Sequence, residues 1–112
     1  MALRIKWDEY EVALLVHYYC KIQEGAISFE DATIELSDRL RKKAIRKGLQ
    51  IDNIYRNTNG MSMKLGNMQY LFTNGQKGLT GYSQLDKKIY EIYKNNNNEF
   101  KKIIKRALEL TD

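Results

Sequence analysis

The segment RLRKKAIRKG, residues 39–48, is the densest cluster of side chains in this chain that could bind a charged ligand. Six of its residues are lysine or arginine, and none is acidic. At 100° per residue, a helix would place four of them on one stripe suited to the phosphates of a polyanion: Arg39, Lys42, Lys43 and Arg46. The alternative is that basic residues near a helix C-terminus only offset the helix dipole, but four on one stripe exceed what that requires.

A second polar cluster lies in YRNTNGMSMKLGNMQY, residues 55–70, at the entrance to an apolar-striped segment. Arginine and asparagine side chains pair with base edges, and helix N-termini bind phosphate. We therefore predict that Arg56, Asn57, Asn59 and Lys64 position or read a nucleic-acid target. Helix capping by Asn57 or Thr58 is the alternative for part of this set.

Few side chains in this chain are suited to catalysis. The only histidine, His17, lies three residues before the only cysteine, Cys20, so a helix would let them touch. Without a third group to orient them, the pair is a weak basis for nucleophilic catalysis, and one cysteine with one histidine cannot build a structural zinc site. We predict a protein that is not an enzyme and that needs no metal or cofactor.

The elements that must position these residues are predicted to be helices, because the chain has no proline and is rich in helix-forming side chains. Asp8 followed by Glu11 predicts a capping box for the first helix, and Ser28 and Ser83 predict the starts of the second and fourth. The third helix is predicted to begin near Thr58 or Gly60 and to run to about Phe72. The fold class is therefore all-α, a compact bundle of about five helices forming a single domain over residues 1–112.

The sequence also predicts the connections between the helices and the buried and exposed faces of two of them. Residues 73–81 contain three glycines and predict a loop, and the four asparagines at 95–98 predict a turn. The buried stripe of the second helix is predicted to begin at Phe29. On the fifth helix, Lys101, Lys102, Lys105 and Arg106 lie opposite the apolar residues, which is typical of a solvated face.

Charge is distributed unevenly along the chain. Residues 1–38 hold three basic and eight acidic side chains, whereas residues 39–112 hold sixteen basic and six acidic ones. This asymmetry favours a polyanionic partner or a complementary protein surface. No apolar run is long enough to predict a membrane span, the start lacks a secretory pattern, and a single cysteine fits a reducing compartment, so we expect a cytoplasmic protein.

The order of several motifs resembles a known family over roughly residues 5–108. These motifs are WDEYEVALLVHYY, LSDRLRKKAIRKG, IYRNTNGMSMKLGNMQYLF, GLTGYSQLDKKIYEIY and FKKII. Together they look like a small helical domain found at the N-terminus of bacterial HNH-type restriction endonucleases and of some helicase-containing defence proteins. The most specific part is YRNTNGMSMKLGNMQY. By this resemblance Arg56, Asn57, Asn59 and Gly60 would lie at the family's characteristic turn, and the HNH catalytic residues themselves are absent.

The resemblance implies a DNA-binding or target-sensing module of a restriction-modification or defence system. We therefore expect a non-catalytic module that binds double-stranded DNA, modified or unmodified, mainly through its phosphates. A nuclease or helicase domain would be its partner, and the chain could be the N-terminal module of a longer protein. The alternative is a protein-interaction adaptor or a homodimerisation domain that uses the charge asymmetry. Whether the Arg56–Gly60 turn reads DNA or holds the fold together is open at the sequence level.

Overall fold

The computed structural model describes residues 5–112, and these residues form five α-helices and no β-strand. The prediction of an all-α bundle of five helices is confirmed. In chain order the helices are α1 (Glu9–Gln23), α2 (Phe29–Arg46), α3 (Thr58–Phe72), α4 (Gln84–Asn95) and α5 (Asn97–Thr111).

Helix α1 is the centre of the bundle and contacts each of the other four helices. The predicted capping box starts it: the Asp8 carboxylate accepts a hydrogen bond from the Glu11 amide at 2.8 Å, and the Glu11 carboxylate accepts one from the Asp8 amide at 3.1 Å. Five consecutive residues, 12–16, are completely buried. A helix that is apolar around most of its circumference is stable only when neighbours cover every side, so α1 organises the core.

The other predicted helix starts are also present. Ser28 caps α2, Asn57 caps α3 and Ser83 caps α4, each accepting a hydrogen bond from the amide three residues later. These caps satisfy amides that have no partner within their own helices. Phe29 does not belong to the buried stripe of α2: it is the first residue of the helix and is 37% exposed, and burial begins one turn later at Ala32.

The four asparagines at 95–98 do not form a broad turn. Helix α4 continues through Asn95 and α5 already begins at Asn97, so Asn96 alone separates them. The Asn96 amide donates to the Ile92 carbonyl, while its side chain accepts from the Glu99 amide. Asn96 alone can therefore end α4 and cap α5, because its short side chain forms hydrogen bonds with nearby backbone.

The predicted loop at 73–81 is confirmed, and it lies directly against α3. The Leu79 amide donates to the Gly66 carbonyl at 3.0 Å, and the Asn67 side chain donates to the Leu79 carbonyl at 3.0 Å. Gly78 has a φ of +94°, and a Cβ at this position would lie 2.4 Å from the Gly66 carbonyl oxygen. Only glycine fits this approach of main chain to main chain.

Replacement of Gly78 tests how tightly this loop is fixed. We expect Gly78→Ala to lower the free energy of unfolding by about 3 kcal/mol or more, because it adds a main-chain clash to an unfavourable backbone conformation. The matched control is Gly25→Ala, since Gly25 also has a positive φ of +76° but no atom within 4 Å of the added Cβ. That control should cost only about 1–2 kcal/mol. Urea denaturation measures both, and equal losses would contradict the close approach of loop and helix.

Candidate nucleic-acid interface

Arg56 is held inside the protein. Its side chain is only 8% exposed, and its Nε donates to Glu11 Oε2 at 2.9 Å. Its Nη2 donates to Glu11 Oε1 at 3.2 Å, which completes a bidentate pair. The guanidinium also lies 4.3 Å from the centroid of the Trp7 ring and 4.6 Å from that of Tyr55, where both rings attract a cation. The edge of Arg56 that could pair with a base is therefore occupied by Glu11.

The main chain around Arg56 is fixed as well. Arg56 has a φ of +46°, a left-handed conformation that is uncommon for residues other than glycine. Its carbonyl accepts a hydrogen bond from Ser37 Oγ at 2.7 Å. The next residue, Asn57, accepts from the Gly60 amide at 2.8 Å and so caps α3. These contacts give the Arg56–Gly60 turn a structural role, and among its predicted site residues only Asn59 has an exposed side chain.

Lys64 has a buried acidic partner too. Its Nζ lies 2.9 Å from Asp86 Oδ1 and 2.7 Å from Asp86 Oδ2, and Asp86 is completely buried. Asp86 also closes the capping box of α4 with Ser83. Because a buried carboxylate without a cation is strongly unfavourable, Lys64 is held in its ion pair with Asp86.

The predicted stripe on α2 does not form a single cationic surface. Lys43 is 9% exposed and lies 3.1 Å from Asp8, at the start of α1. Lys42 forms an exposed pair with Asp38 at 2.9 Å. The structure therefore separates these two neighbours, one into an interhelical pair and the other onto the surface.

The two arginines of this stripe converge on one acidic residue. Arg39 donates from Nη1 to Asp112 Oδ1 at 2.9 Å and from Nε to the Tyr18 hydroxyl at 2.9 Å. Arg46 donates to the Asp112 main-chain carbonyl. With Lys42 they line a hollow of about 280 Å³ that also holds three carboxylates. The acidic members of this hollow are Glu35, Asp38 and Asp112.

The cations that lack an ionic partner among residues 5–112 are concentrated after residue 76. Seven exposed lysines there make no ion pair, whereas only two acidic residues of the same stretch lack one. The lysines are Lys77, Lys87, Lys88, Lys94, Lys101, Lys102 and Lys105, and the acids are Glu91 and Glu99. The sequence pattern assigns the α5 lysines to a solvated face and does not single out those of α4. Periodicity marks the α5 lysines as exposed, but it cannot reveal that the α2 cations are paired.

The carboxylates that lack an ionic partner among the described residues lie mostly in α1, α2 and the turn between them. Among residues 9–38, five carboxylates make no ion pair, and Lys21 is the one lysine of that stretch. The carboxylates are Glu9, Glu24, Glu30, Asp31 and Glu35. Internal pairing therefore leaves an acidic segment and a basic segment at opposite ends of the sequence.

His17 and Cys20 are partly buried residues of α1. Burial, together with the charges of Lys21 and Arg39, lowers the pKa of His17. Burial likewise raises the pKa of the Cys20 thiol, which keeps it protonated and weakly nucleophilic at neutral pH. A hydrogen bond with Cys20 and partial burial raise the pKa of Tyr93 to about 12. Within residues 5–112, no group of three histidine, cysteine or acidic side chains is placed to hold a metal ion.

Comparison of the chain with protein-family models, with curated proteins and with solved structures found no significant match. None of the helices described above has both the length and the apolar character to cross a membrane.

Arg56→Gln tests the structural role of the buried pair. Removing the guanidinium leaves Glu11 buried without a cation, so the free energy of unfolding should fall by about 3–5 kcal/mol. Lys42→Gln is the control, because it breaks an exposed pair and should cost less than about 1 kcal/mol. Urea denaturation followed by circular dichroism measures both. A loss below about 1 kcal/mol for Arg56→Gln would contradict the structural role.

Proposed function

We propose that this chain is a non-catalytic module that binds double-stranded DNA through its phosphates, using the lysines of loop 73–81, α4 and α5. One observation supports this most directly: seven exposed lysines between residues 77 and 105 have no ionic partner within the described chain. Lysines of this kind can neutralise phosphates without breaking an interaction of the fold. Release of counterions from the DNA then drives binding.

The contacts of the other candidates argue for this surface over the α2 stripe. Arg56 and Lys64 each neutralise a buried carboxylate, and turning either toward a phosphate would leave that carboxylate uncompensated. Lys43 is itself only 9% exposed and is paired with Asp8. Lys42 and Asn59 remain candidates for additional contacts because both side chains are exposed. The Lys42–Asp38 pair is exposed and so is easily exchanged for a phosphate contact.

The resemblance to the N-terminal domains of HNH-type restriction endonucleases and defence helicases is compatible with this proposal. In such a protein the module would hold DNA while a nuclease or helicase domain acts on it. The segment that carries the most specific part of the resemblance includes Arg56 and Lys64, whose side chains are engaged inside the fold. On this proposal the segment stabilises the fold of the module, and the lysines after residue 76 contact the DNA.

The triple variant Lys101→Gln, Lys102→Gln, Lys105→Gln tests the proposed surface. Removal of one lysine–phosphate contact should reduce the slope of log K against log salt by about 0.9, so the slope should fall by up to about 3. The measurement is fluorescence anisotropy of a labelled duplex over a salt series, with circular dichroism to check helix content.

The matched control removes the same number of charges from the α2 surface: Lys42→Gln, Arg46→Gln, Lys47→Gln. It should lower the slope by no more than about 0.9, the contribution of a single phosphate contact by Lys42. Loss of binding in this control alone would assign DNA to the α2 surface. If the unmodified protein fails to bind duplex DNA even at low salt, the proposal is wrong.

Self-association is the second candidate function, and the acidic residues between 9 and 38 that make no ion pair favour it. They could meet the lysines after residue 76 of another copy in a head-to-tail contact, giving a homodimer or a docking surface for a partner protein. Sedimentation equilibrium should then detect a dimer at low salt that dissociates at high salt. The α5 triple variant should remain monomeric at both salt concentrations. A monomer at every concentration and salt would eliminate this candidate.

A further inference from the structure

A cleft of about 480 Å³ lies between the end of α3, loop 73–81 and α4. Three tyrosine rings and three charged side chains of α4 contribute to its lining. They are Tyr70, Tyr82 and Tyr90, with Lys87, Glu91 and Lys94. The volume is within the range of small-molecule sites, and the lining combines aromatic surface with a few charged groups.

The aromatic side of the cleft is fixed by the surrounding fold. The rings of Tyr70 and Tyr82 lie 5.9 Å apart and are inclined by only 30°, so they stack on each other. Tyr70 packs against Gly75, where an added Cβ would lie 3.1 Å from the ring. Tyr90 packs on Phe72 with 4.8 Å between ring centroids. The tyrosine surface is therefore formed without any ligand.

The charged side of the cleft carries both signs. Lys87, Glu91 and Lys94 follow one another at spacings of four and three residues, which places them on one face of α4. None of the three forms an ion pair within the described residues. The lysines can bind phosphate oxygens, whereas the carboxylate can accept hydrogen bonds only from N–H or O–H donors.

A nucleotide with an unpaired base is the ligand class that uses all of these groups. Its base can stack on a tyrosine ring and donate N–H groups to a carboxylate, while its phosphates contact the lysines. A free phosphate would leave the rings and the carboxylate unused. Within a duplex, stacked neighbours cover the faces of each base.

We propose that this cleft binds an unpaired nucleotide at the end of a DNA strand, with its base stacked on the ring of Tyr82 and its phosphate on Lys87 or Lys94. This inference rests on the proposed function, since the neighbouring lysines would hold the adjoining duplex. A second hollow of about 480 Å³ shares Lys87 and Glu91 with the cleft and adds Lys88. Lys88 lies outside the cleft and, like the lysines of α5, would contact the duplex. The module would thereby prefer DNA ends that carry a single-stranded overhang.

The test compares one labelled hairpin duplex in blunt form and with six-nucleotide overhangs of mixed sequence, by fluorescence anisotropy. Stacking of a base on an aromatic side chain corresponds to about a tenfold gain in affinity, so the overhang should bind about tenfold more tightly. Tyr82→Leu, which removes the ring but keeps apolar volume, should abolish the difference. Glu91→Gln changes an exposed residue and serves as the second variant if Tyr82→Leu fails to fold.

Lys94→Gln and Lys88→Gln form a matched pair, because both remove one charge from α4 and only Lys94 lines the cleft. Lys94→Gln should reduce the ratio of overhang to blunt affinity, and Lys88→Gln should leave that ratio unchanged. Equal changes in the ratio for both variants would overturn the cleft assignment.

Two further ligands separate failure of this inference from failure of the proposed function. Equal binding of blunt and overhang duplexes overturns the cleft and leaves duplex binding intact. If the blunt duplex does not bind, binding of a single-stranded octamer is measured instead. Octamer binding that is lost in Tyr82→Leu supports the cleft assignment, and absence of octamer binding refutes it. Free dGMP binding as tightly as the octamer would identify a mononucleotide site and overturn the assignment to a strand end.

Discussion

The burial of two carboxylates, Glu11 and Asp86, constrains the rest of this fold. Each belongs to a capping box at the start of a helix, and their side chains are only 6% and 0% exposed. Carboxylates removed from water require a cation, and Arg56 and Lys64 provide it. Both cations come from the segment that leads into α3 and forms its first turns. Meeting the two carboxylates therefore fixes that segment against the starts of α1 and α4 at once.

The arginines and the lysines after residue 76 differ in how they are partnered. Every arginine among residues 5–112 donates hydrogen bonds within the protein, whereas the cations left without partners after residue 76 are all lysines. The arginines are Arg39, Arg41, Arg46, Arg56 and Arg106. A lysine acts as a flexible point charge and lacks the planar fork that pairs with guanine. A surface of lysines therefore suits phosphate contacts that position DNA without reading its sequence.

Local patterns predicted the helices and their caps well, because a capping serine or asparagine acts within three residues of its partner. The ion pairs were beyond the reach of such patterns: Arg56 is 45 residues from Glu11, and Lys64 is 22 residues from Asp86. Periodicity gives the face of a helix on which a cation lies but does not reveal which carboxylate another helix brings to it. Arg56 therefore looked like a residue available for base reading. Its neighbour Tyr55 and the only tryptophan, Trp7, were signals that could have suggested an enclosed guanidinium.

The proposed DNA surface and the buried pairs meet at α4. Asp86 completes the capping box of this helix and binds Lys64, and the following residues of the helix supply Lys87, Glu91 and Lys94 to the cleft. A change at Lys64 would disturb the start of α4 and could weaken DNA binding without any contact between Lys64 and DNA. Loss of affinity alone therefore does not identify a contact residue in this protein. Replacing a lysine that contacts phosphate changes the slope of log K against log salt. Replacing a residue that only positions α4 instead lowers the stability of the fold.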